Sequence, residues 1–465
     1  MAGILLFKAA HITADNFSVV PPMGLMYLAS VLREKGHRVR IVDTRIWRRH
    51  EEITSEVREF KPDLVGISAI SFEARSLAGI AGCVKGVSEK IPVICGGAHP
   101  SSAHEECLAE KNIDYAVIGE GEETLPELIS AIDSGKGIEK VQGVAFRNCD
   151  GNVFTGYRKP PENLDAMPFP AWDLIDIGGY ASRKSMSTIG NRRYLTVITS
   201  RGCPYGCLYC HNIHGKLHRT RSPESVLEEM GFLIREFGIR EFEILDDVFN
   251  LNRKRTAEIL DGIAVRFKGV KLCFPNGLRG DLLDGHMIKL LKKAGAHYLS
   301  IAVETTSERL QKLIGKNLNI EKTRAAIEGC VSEGIYTNGF FMIGFPTETP
   351  EEMEQTVRFA VESPLHQAMF FRVIPFKGTG LAGMAGDRVR PDDWSKHDYF
   401  TSSLNISGAG DAEIKKIIAD AYRRFYVNPR RLARLVLKHP NRVDLAKLGL
   451  LTMRRMFSLR RASNA

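Results

Sequence analysis

Short apolar runs alternate with longer amphipathic segments through the N-terminal third of the chain. The apolar runs predict strands at Ile4–Phe7, Arg38–Asp43, Leu64–Ser68, Val93–Gly97 and Tyr115–Gly119. The segments that follow them predict helices at about 21–36, 51–60, 73–89, 102–110 and 122–134. Alternation at this pace is typical of a doubly wound parallel sheet, here over residues 1–145. A ligand site is expected outside the carboxyl ends of these strands, where the strand order reverses.

Residues 146–190 carry weak periodicity and are richer in Asn, Gly, Pro and Lys. This composition predicts a connector, which begins as a hairpin with its turn at Asp150-Gly151. From 191 to about 410 the alternation resumes. It predicts strands at 194–199, 241–245, 271–274, 298–303, 336–343 and 368–374, and helices at 223–237, 253–266, 284–294, 320–333 and 350–362. Repetition alone leaves open a second flat sheet or a partial barrel.

Composition limits the class of protein. Of the 465 residues, 44% are hydrophobic and 26% charged, as in ordinary soluble domains. Nine cysteines at irregular spacing argue against a secreted disulfide framework. The chain has no apolar run of about 18 residues, and its N-terminus lacks the pattern of a signal peptide. We therefore expect a cytoplasmic protein.

Three cysteines are clustered. Cys203, Cys207 and Cys210 have a C-x3-C-x2-C spacing, directly after a predicted buried strand. Three thiolates on one loop suit an iron–sulfur cluster. A structural zinc site would need a fourth ligand, such as His211 or a distant cysteine. The Cys207–His211 stretch also matches the attachment motif of c-type haem, which requires export. The spacing favours the iron–sulfur cluster.

With Tyr209 before the last cysteine, the stretch reads C-x3-C-x-aromatic-C and resembles the signature of the radical SAM superfamily. The resemblance implies a partial (β/α)6 barrel and a 4Fe–4S cluster whose fourth iron binds S-adenosylmethionine through its amino and carboxylate groups. It also implies that one electron splits this cofactor into methionine and a 5′-deoxyadenosyl radical, which takes hydrogen from an unactivated carbon. An external electron donor such as flavodoxin or ferredoxin is implied as a partner.

Polar residues at the ends of later strands are candidates for binding S-adenosylmethionine. Asp246 and Asp247 are able to bind an ammonium group, Arg279 a carboxylate, and Glu304 the ribose hydroxyls or the amine. Gly344 opens a stretch that resembles the adenine-side motif of the superfamily. Helix capping is an alternative role for the acidic positions.

The N-terminal domain resembles the cobalamin-binding domain of B12-dependent radical SAM enzymes. Four phrases carry the resemblance: Pro22-Met-Gly-Leu, Val65-Gly-Ile-Ser, Gly96-Gly-Ala-His-Pro and Gly119-Glu-Gly-Glu-Glu-Thr. The Asp-x-His-x-x-Gly motif of some cobalamin proteins is absent, so we expect cobalamin without a histidine on its lower face. The candidate cofactor residues are Gly96, Gly97, His99, Ser101, Gly119, Glu120 and Thr124. From the residues alone, tight turns and helix caps are the simpler explanation of both loops.

Residues 411–465 predict basic amphipathic helices, and much of the net charge of +9 lies in the last forty residues. Such helices lie at a membrane surface or pack on the barrel with a solvated basic face. Nucleic acid is disfavoured as a partner because no aromatic platform or RNA-binding motif accompanies the charge.

Together these features predict a cobalamin-dependent radical SAM enzyme, a methyltransferase acting at an unactivated carbon of a small-molecule or lipid substrate. In that family one S-adenosylmethionine methylates cobalamin and a second supplies the radical. One alternative is cyclisation or oxidation without methyl transfer, as in the anaerobic magnesium-protoporphyrin ester cyclase. An alternative of another class is an iron–sulfur electron-transfer or nucleic-acid-binding protein.

Overall fold

Two compact units make up the protein. The computed structural model describes residues 1–10, 18–46, 50–190, 192–211, 213–386, 394 and 405–441. Unit 1 comprises the described residues of Met1–Tyr180, His211–Leu217 and Phe376–His397, and unit 2 those of Ala181–Cys210, His218–Pro375 and Asp398–Ala465. Each unit is built on a mainly parallel sheet, so the predicted α/β class is confirmed.

The sheet of unit 1 has seven strands in the order β2-β1-β3-β4-β5-β6-β7. They are β1 (Gly3–Lys8), β2 (Arg38–Asp43), β3 (Leu64–Ser68), β4 (Val93–Gly96), β5 (Tyr115–Val117), β6 (Val144–Asn148) and β7 (Gly151–Phe154). Strands β1 to β5 are parallel, and all six residues of β1 are buried. The order reverses between β1 and β3, which confirms the doubly wound prediction and defines the switch point.

Five helices cover this sheet: α1 (Met23–Glu34), α2 (His50–Phe60), α3 (Ala74–Val87), α4 (Ala98–Ala109) and α5 (Gly121–Ser134). Helix α4 begins four residues before the predicted start near 102. Residues 98–101, which we expected in a loop, form a first turn that the non-helical Ala103 (φ −147°, ψ +42°) separates from the rest of the helix. Pro100 is tolerated there because first-turn amides need no partner within the helix.

The predicted hairpin of β6 and β7 forms, but Asn148 pairs with Gly151, so its two-residue turn is Cys149-Asp150 and lies one residue before the predicted Asp150-Gly151. Strand β6 also pairs with β5, in the antiparallel sense. Residues 146–154 of the predicted connector consequently lie in the sheet. Farther along, the Tyr180 hydroxyl donates to Asp43 Oδ2 at 2.8 Å and ties the end of unit 1 to β2.

Unit 2 contains six parallel strands in strictly sequential order. They are β8 (Leu195–Val197), β11 (Glu241–Ile244), β12 (Lys271–Leu278), β13 (Ala296–Glu304), β14 (Tyr336–Ile343) and β15 (Gln367–Arg372), with the short antiparallel pair β9 (Ser200–Arg201) and β10 (Arg219–Thr220) between β8 and β11. A doubly wound sheet would reverse its order, whereas barrel strands follow one another. The sequential order decides between the two predicted architectures in favour of the partial (β/α)6 barrel.

The helices of unit 2 follow its strands. They are α7 (Pro223–Phe237), α8 (Arg253–Arg266), α9 (Gly285–Lys293), α10 (Glu308–Leu313), α11 (Ile320–Ser332) and α12 (Pro350–Glu362), while α6 (Ile177–Ala181) precedes the barrel and α13 (Gly380–Ala385) lies in unit 1. The short helix α10 was not predicted. Strand β12 runs four residues beyond its predicted end, to Leu278.

Two C-terminal helices, α14 (Asp411–Tyr426) and α15 (Pro429–Lys438), complete the described part of unit 2. Helix α14 covers the edge strand β15, because the amides of Ala368 and Phe370 donate to the hydroxyls of Tyr426 and Tyr422, both at 3.2 Å. Side-chain partners of this kind protect an exposed sheet edge. The predicted helical segment beyond residue 441 lies outside the described residues. Among the described helices, none has the length and apolar content needed to cross a membrane.

Candidate functional site

Cys203, Cys207 and Cys210 lie on a loop that leaves the sheet of unit 2 after β8 and β9. We call residues 202–210 the cysteine loop. The pairing of Arg201 with Arg219 closes its base. The thiols therefore follow the carboxyl end of a barrel strand, where enzymes of this architecture build their sites.

Two acidic residues after β11 hold the start of the cysteine loop. Asp246 is 3% exposed and accepts hydrogen bonds from the Thr199 amide at 2.6 Å, Thr199 Oγ1 at 2.5 Å and Ser200 Oγ at 2.6 Å. Burial raises the pKa of Asp246, and these donors oppose the rise. Asp247 Oδ2 accepts from the Gly202 amide at 2.8 Å. The two carboxylates predicted to bind a cofactor are thus engaged with the loop itself.

The middle of the cysteine loop docks on the turn that follows α10. The Leu208 amide donates to the Ile314 carbonyl at 2.9 Å. Gly315 has a φ of +68°, and a Cβ there would lie 2.8 Å from the Gly206 carbonyl oxygen. Glycine is needed at 315 so that the two backbones can approach.

Arg279 supports the same loop through an aromatic ring. Its guanidinium carbon lies 3.8 Å from the centroid of the Tyr205 ring. Its Nη atoms donate to the carbonyls of Lys316 at 2.9 Å and Asn317 at 3.0 Å, and Nε lies 2.9 Å from Asp281. The guanidinium that we expected to bind a carboxylate is therefore engaged with protein groups. The reason is the longer β12, which ends directly before Arg279.

The three thiols differ in their electrostatics. A hydrogen bond from Cys210, assisted by the Lys316 ammonium, lowers the pKa of Cys207 to about 6. The same hydrogen bond and burial raise the pKa of Cys210, and burial raises the pKa of Cys203. Because the thiolate is the form that binds metal, the lowered pKa of Cys207 fits a ligand role.

A fourth thiol does not accompany these three among the described residues of unit 2. Its other cysteines, Cys273 in β12 and Cys330 in α11, are both 0% exposed in the core. His211 belongs to unit 1, where its ring centroid lies 5.2 Å from that of Phe376 and its Nδ1 lies 3.5 Å from Ser102 Oγ. The residues present fit a cluster with three cysteine ligands and one open position better than a closed four-ligand zinc site.

A buried ion pair lies beside the thiols. Lys316 Nζ lies 3.1 Å from Glu304 Oε1 and donates to the Tyr209 hydroxyl at 3.2 Å. Glu304 has a φ of +66°, a conformation that costs a non-glycine residue about 1–2 kcal/mol. Such strain is found mainly at functional sites. The sequence identified Tyr209 and Glu304 but not Lys316, because a single lysine in a turn forms no motif.

Glu348 shapes the loop that follows β14. It is 1% exposed, and its Oε2 accepts from the amides of Gly344 at 2.6 Å and Phe345 at 2.9 Å. Gly344 has a φ of +100°, as the turn requires. Burial raises the pKa of Glu348 to about 7, although the two amides favour its charged form. The Phe345 ring lies 5.9 Å from that of Tyr209, so this turn adjoins the cysteine loop.

In unit 1, Gly97 brings the start of α4 close to the end of β3. It has a φ of +97°, and a Cβ there would lie 3.0 Å from the Ala69 carbonyl oxygen. Gly96 precedes it at the end of β4. The Ser101 hydroxyl accepts from the Gly119 amide at 2.9 Å and joins the two predicted cofactor loops.

The remaining candidates of unit 1 contact protein groups or lie in its interior. Glu120 Oε1 lies 3.0 Å from His214 Nδ1. Thr124 is fully buried, and its hydroxyl donates to the Gln142 carbonyl at 3.4 Å. His99 is 3% exposed in the first turn of α4, and its Nδ1 has no hydrogen-bond partner among the described residues.

A buried ion pair lies at the switch point of unit 1, between residues that no sequence motif identifies. Lys8 ends β1 and pairs with Glu73, which follows β3; their side chains are 11% and 5% exposed. Burial lowers the pKa of Lys8, and the Glu73 carboxylate opposes that effect. Beside them Arg45 pairs with Asp43 at 2.6 Å. Only the strand order brings these residues together, at the edge where such sheets bind ligands.

Known proteins match both units of the chain. Residues 12–129 match the B12 binding domain model, and residues 197–360 match the Radical SAM superfamily model. An uncharacterised methyltransferase of Pyrococcus horikoshii is 31% identical over 90% of both chains. Cytidylyl-2-hydroxyethylphosphonate methyltransferase of Streptomyces wedmorensis is 29% identical over 88% of this chain and 86% of its own. The anaerobic magnesium-protoporphyrin IX monomethyl ester cyclase of Rubrivivax gelatinosus is 27% identical over 88% and 74%.

Solved structures share the fold. The radical S-adenosylmethionine methyltransferase TsrM from Kitasatospora setae, with cobalamin and a 4Fe–4S cluster bound, superposes with a TM-score of 0.72 and 19% identity over 99% of both chains. The cobalamin-dependent S-adenosylmethionine radical enzyme OxsB, in its apo form, gives 0.74 and 17% identity over 99% of this chain and 72% of its own.

Titration of Glu348 makes stability depend on pH. Its pKa is raised from 4.5 to about 7, so its stabilising contribution is fully present below pH 4.5 and is lost as the pH rises through 7. At about pH 8 the buried charge costs on the order of 3 kcal/mol. We expect Glu348→Gln, which keeps an acceptor for both amides, to raise the thermal midpoint at that pH and to flatten its decline above pH 4.5. Glu351→Gln, at an exposed position in the first turn of α12, is the control. Equal pH profiles for wild type and Glu348→Gln would contradict this assignment.

Proposed function

Because the chain belongs to the radical SAM enzymes that carry a B12-binding domain, we propose that it methylates an unactivated carbon of a small molecule with cobalamin and S-adenosylmethionine as cofactors. The observation that carries the proposal is the cysteine loop, whose three thiols have no fourth cysteine beside them among the described residues of unit 2. The methyltransferase relative, aligned over 90% of both chains, supports methyl transfer as the outcome.

Cys203, Cys207 and Cys210 would bind the cluster as thiolates. When bound, the cluster supplies the electron that splits S-adenosylmethionine into methionine and a 5′-deoxyadenosyl radical, and cobalamin supplies the methyl group. The chain itself contributes position and charge. The Lys316 ammonium favours the thiolate of Cys207, and the Glu304 carboxylate balances that ammonium at 3.1 Å.

We assign S-adenosylmethionine to the carboxyl ends of β13 and β14. The Glu304 carboxylate is suited to accept from ribose hydroxyls or from the ammonium group, and Tyr209 lies within reach of the same carboxylate, at 3.4 Å. The turn at Gly344, which has a φ of +100°, is assigned to the adenine side. We assign Asp246, Asp247 and Arg279 a positioning role, because they contact the cysteine loop and the residues that precede it.

Cobalamin is assigned to the carboxyl ends of β3 to β5 in unit 1. Gly97 lets the start of α4 lie against the end of β3, since a Cβ there would meet the Ala69 carbonyl oxygen at 3.0 Å, and this close packing shapes the loop that we assign to the cofactor. Ser101 holds Gly119 in position, while Glu120 and Thr124 brace the second loop. The burial of His99 supports a cofactor whose lower face receives no histidine from this loop.

The proposal includes an external one-electron donor of the flavodoxin or ferredoxin class, because cleavage of S-adenosylmethionine consumes an electron. It also includes a reducing, cytoplasmic setting. The nine cysteines are irregularly spaced and show no pattern of a disulfide framework, which supports such a compartment.

Helix α15 supports a lipid-like substrate or contact with a membrane surface. Leu432, Val436 and Leu437 are 46%, 54% and 65% exposed on this helix, which also carries Arg430 and Arg434. Exposed apolar side chains bordered by cations fit an anionic lipid surface.

Loss of one thiol tests the cluster. We expect Cys207→Ala to lose its iron and to form no 5′-deoxyadenosine from S-adenosylmethionine after anaerobic reconstitution. Cys149→Ala, at an exposed cysteine of unit 1, should retain both the iron and the formation of 5′-deoxyadenosine.

Incubation of the wild type with methyl-labelled S-adenosylmethionine distinguishes methylation from cyclisation or oxidation. Label should pass to the corrinoid and to product, whereas 5′-deoxyadenosine without label transfer would favour a cyclisation or oxidation reaction.

A side chain added at Gly97, where α4 approaches β3, tests the cobalamin assignment. A side chain at Gly97 would be strained at φ +97° and would meet the end of β3, so Gly97→Ala should lower corrinoid content several-fold. Iron content, which depends on unit 2, should stay at the wild-type level. Gly86→Ala, in α3 with no atom within 4 Å of the added Cβ, is the matched control. Retention of full corrinoid content by Gly97→Ala would refute the placement.

Replacement of the three exposed apolar side chains of α15 tests lipid contact. The triple variant L432S/V436S/L437S should float several-fold less with phosphatidylglycerol vesicles than the wild type, and salt should weaken flotation because the attraction is partly electrostatic. Val265→Ser, at a site in α8 that is 72% exposed, should float like the wild type. Equal flotation of the triple variant would remove this part of the proposal.

A further inference from the structure

A second group of potential metal ligands lies in unit 2, at the amino ends of its strands. Glu241 is the first residue of β11, Cys273 the third of β12 and His297 the second of β13. These strands are neighbours in the sheet. The cysteine loop follows the opposite, carboxyl end of the strands, so the two groups are distinct.

The three side chains converge at ligand-to-ligand distances. Cys273 Sγ lies 3.0 Å from His297 Nε2 and 3.8 Å from Glu241 Oε1, and His297 Nε2 lies 3.2 Å from that oxygen. Around a tetrahedral zinc ion, zinc–ligand bonds of about 2.0–2.3 Å place such atoms about 3.4–3.6 Å apart. Small side-chain adjustments would bring all three atoms to these separations.

A second buried carboxylate and a guanidinium lie beside the group. Arg192 pairs with both Glu241 and Glu243, and the Ser187 amide donates to Glu243 Oε1 at 3.2 Å. Glu243 is 0% exposed, and its Oε2 is a buried oxygen with no hydrogen-bond partner among the described residues.

Solvent reaches the group from one side. The side chains of Glu241 and His297 are 13% and 22% exposed. A surface cleft of about 230 Å³ is lined by Glu241 together with Arg193, Arg240 and Lys271. Cys273 is 0% exposed, so its sulfur is accessible to an ion that enters past the other two ligands but not to bulky reagents.

We propose that Glu241, Cys273 and His297 form a zinc site that clamps β11, β12 and β13 together at the amino end of the barrel. One thiolate, one imidazole and one carboxylate form a mixed ligand set that suits zinc, with water in the fourth position. On binding, a Zn–S bond replaces the S–H bond of Cys273 and the proton leaves to solvent, without any change of oxidation state. The ion would link three neighbouring strands, and the water in its fourth position distinguishes the site from a closed zinc site with four protein ligands.

The test uses the full-length chain with its cluster thiols replaced, C203A/C207A/C210A, so that zinc cannot occupy the cysteine loop. After dialysis against zinc and then buffer, we expect one zinc per chain by mass spectrometry and a rise in the thermal midpoint on zinc addition. Cobalt(II) added to the corrinoid-free protein should give a thiolate charge-transfer band. Introducing His297→Gln or Cys273→Ser into this background should remove the bound ion, the stabilisation and the band.

Cys330→Ser is the matched control, because Cys330 is equally buried in the same unit but is not part of the group. It should retain the zinc. His297 is partly exposed, so its variant keeps the test valid if Cys273→Ser fails to fold. Absence of zinc from the C203A/C207A/C210A protein would overturn the proposal, as would full zinc content in His297→Gln. Neither result bears on the radical reaction, which depends on the replaced thiols.

Discussion

The hydrogen bonds that Asp246 accepts from Thr199 and Ser200 fix the point at which the cysteine loop leaves the sheet. A buried carboxylate is costly unless donors surround it, so the pairing also holds the ends of β8 and β11 together. The nine residues of the loop contain no regular element in the described structure, so this anchor limits where its thiols lie. The turn after α10 supplies the second anchor, through the close approach of Gly315 to Gly206.

The charged groups near the thiols, Lys316 and Glu304, form a buried ion pair. The hydrogen bond from Cys210, with a smaller effect of Lys316, lowers the pKa of Cys207, and Glu304 keeps the lysine from being an uncompensated buried charge. The strained backbone of Glu304 is maintained by this ion pair and by the irregular pairing of β13 with β14. The combination of strain, burial and charge at the end of one strand is a stronger indication of function than any one of the three.

The two ends of the barrel in unit 2 carry different kinds of residues. The carboxyl ends bear the loops that hold the thiols and the residues assigned to S-adenosylmethionine. At the amino ends, Glu241, Cys273 and His297 are set into the strands themselves, where the backbone is rigid. Loops accommodate substrates and cofactors, whereas positions within strands favour a fixed, structural ligand geometry.

The sequence by itself determined the cysteine spacing, the order of helices and strands, and the family to which these patterns point. Local signals suffice for these features, because apolar periodicity and motif spacing are properties of neighbouring residues. Tertiary structure alone decided that Arg279 stacks on Tyr205, that Lys316 joins Glu304, and that Lys8 meets Glu73. The Arg279–Tyr205 and Lys8–Glu73 contacts join residues far apart in the chain, because parallel strands bring their ends to one edge. Lys316 meets Glu304, twelve residues earlier, because the turn after α10 returns to the end of β13. The start of α4 and the end of β12 lie outside their predicted bounds, and both elements are irregular there, because Ala103 is non-helical and the pairing of β12 with β13 shifts register between Phe274 and Leu278.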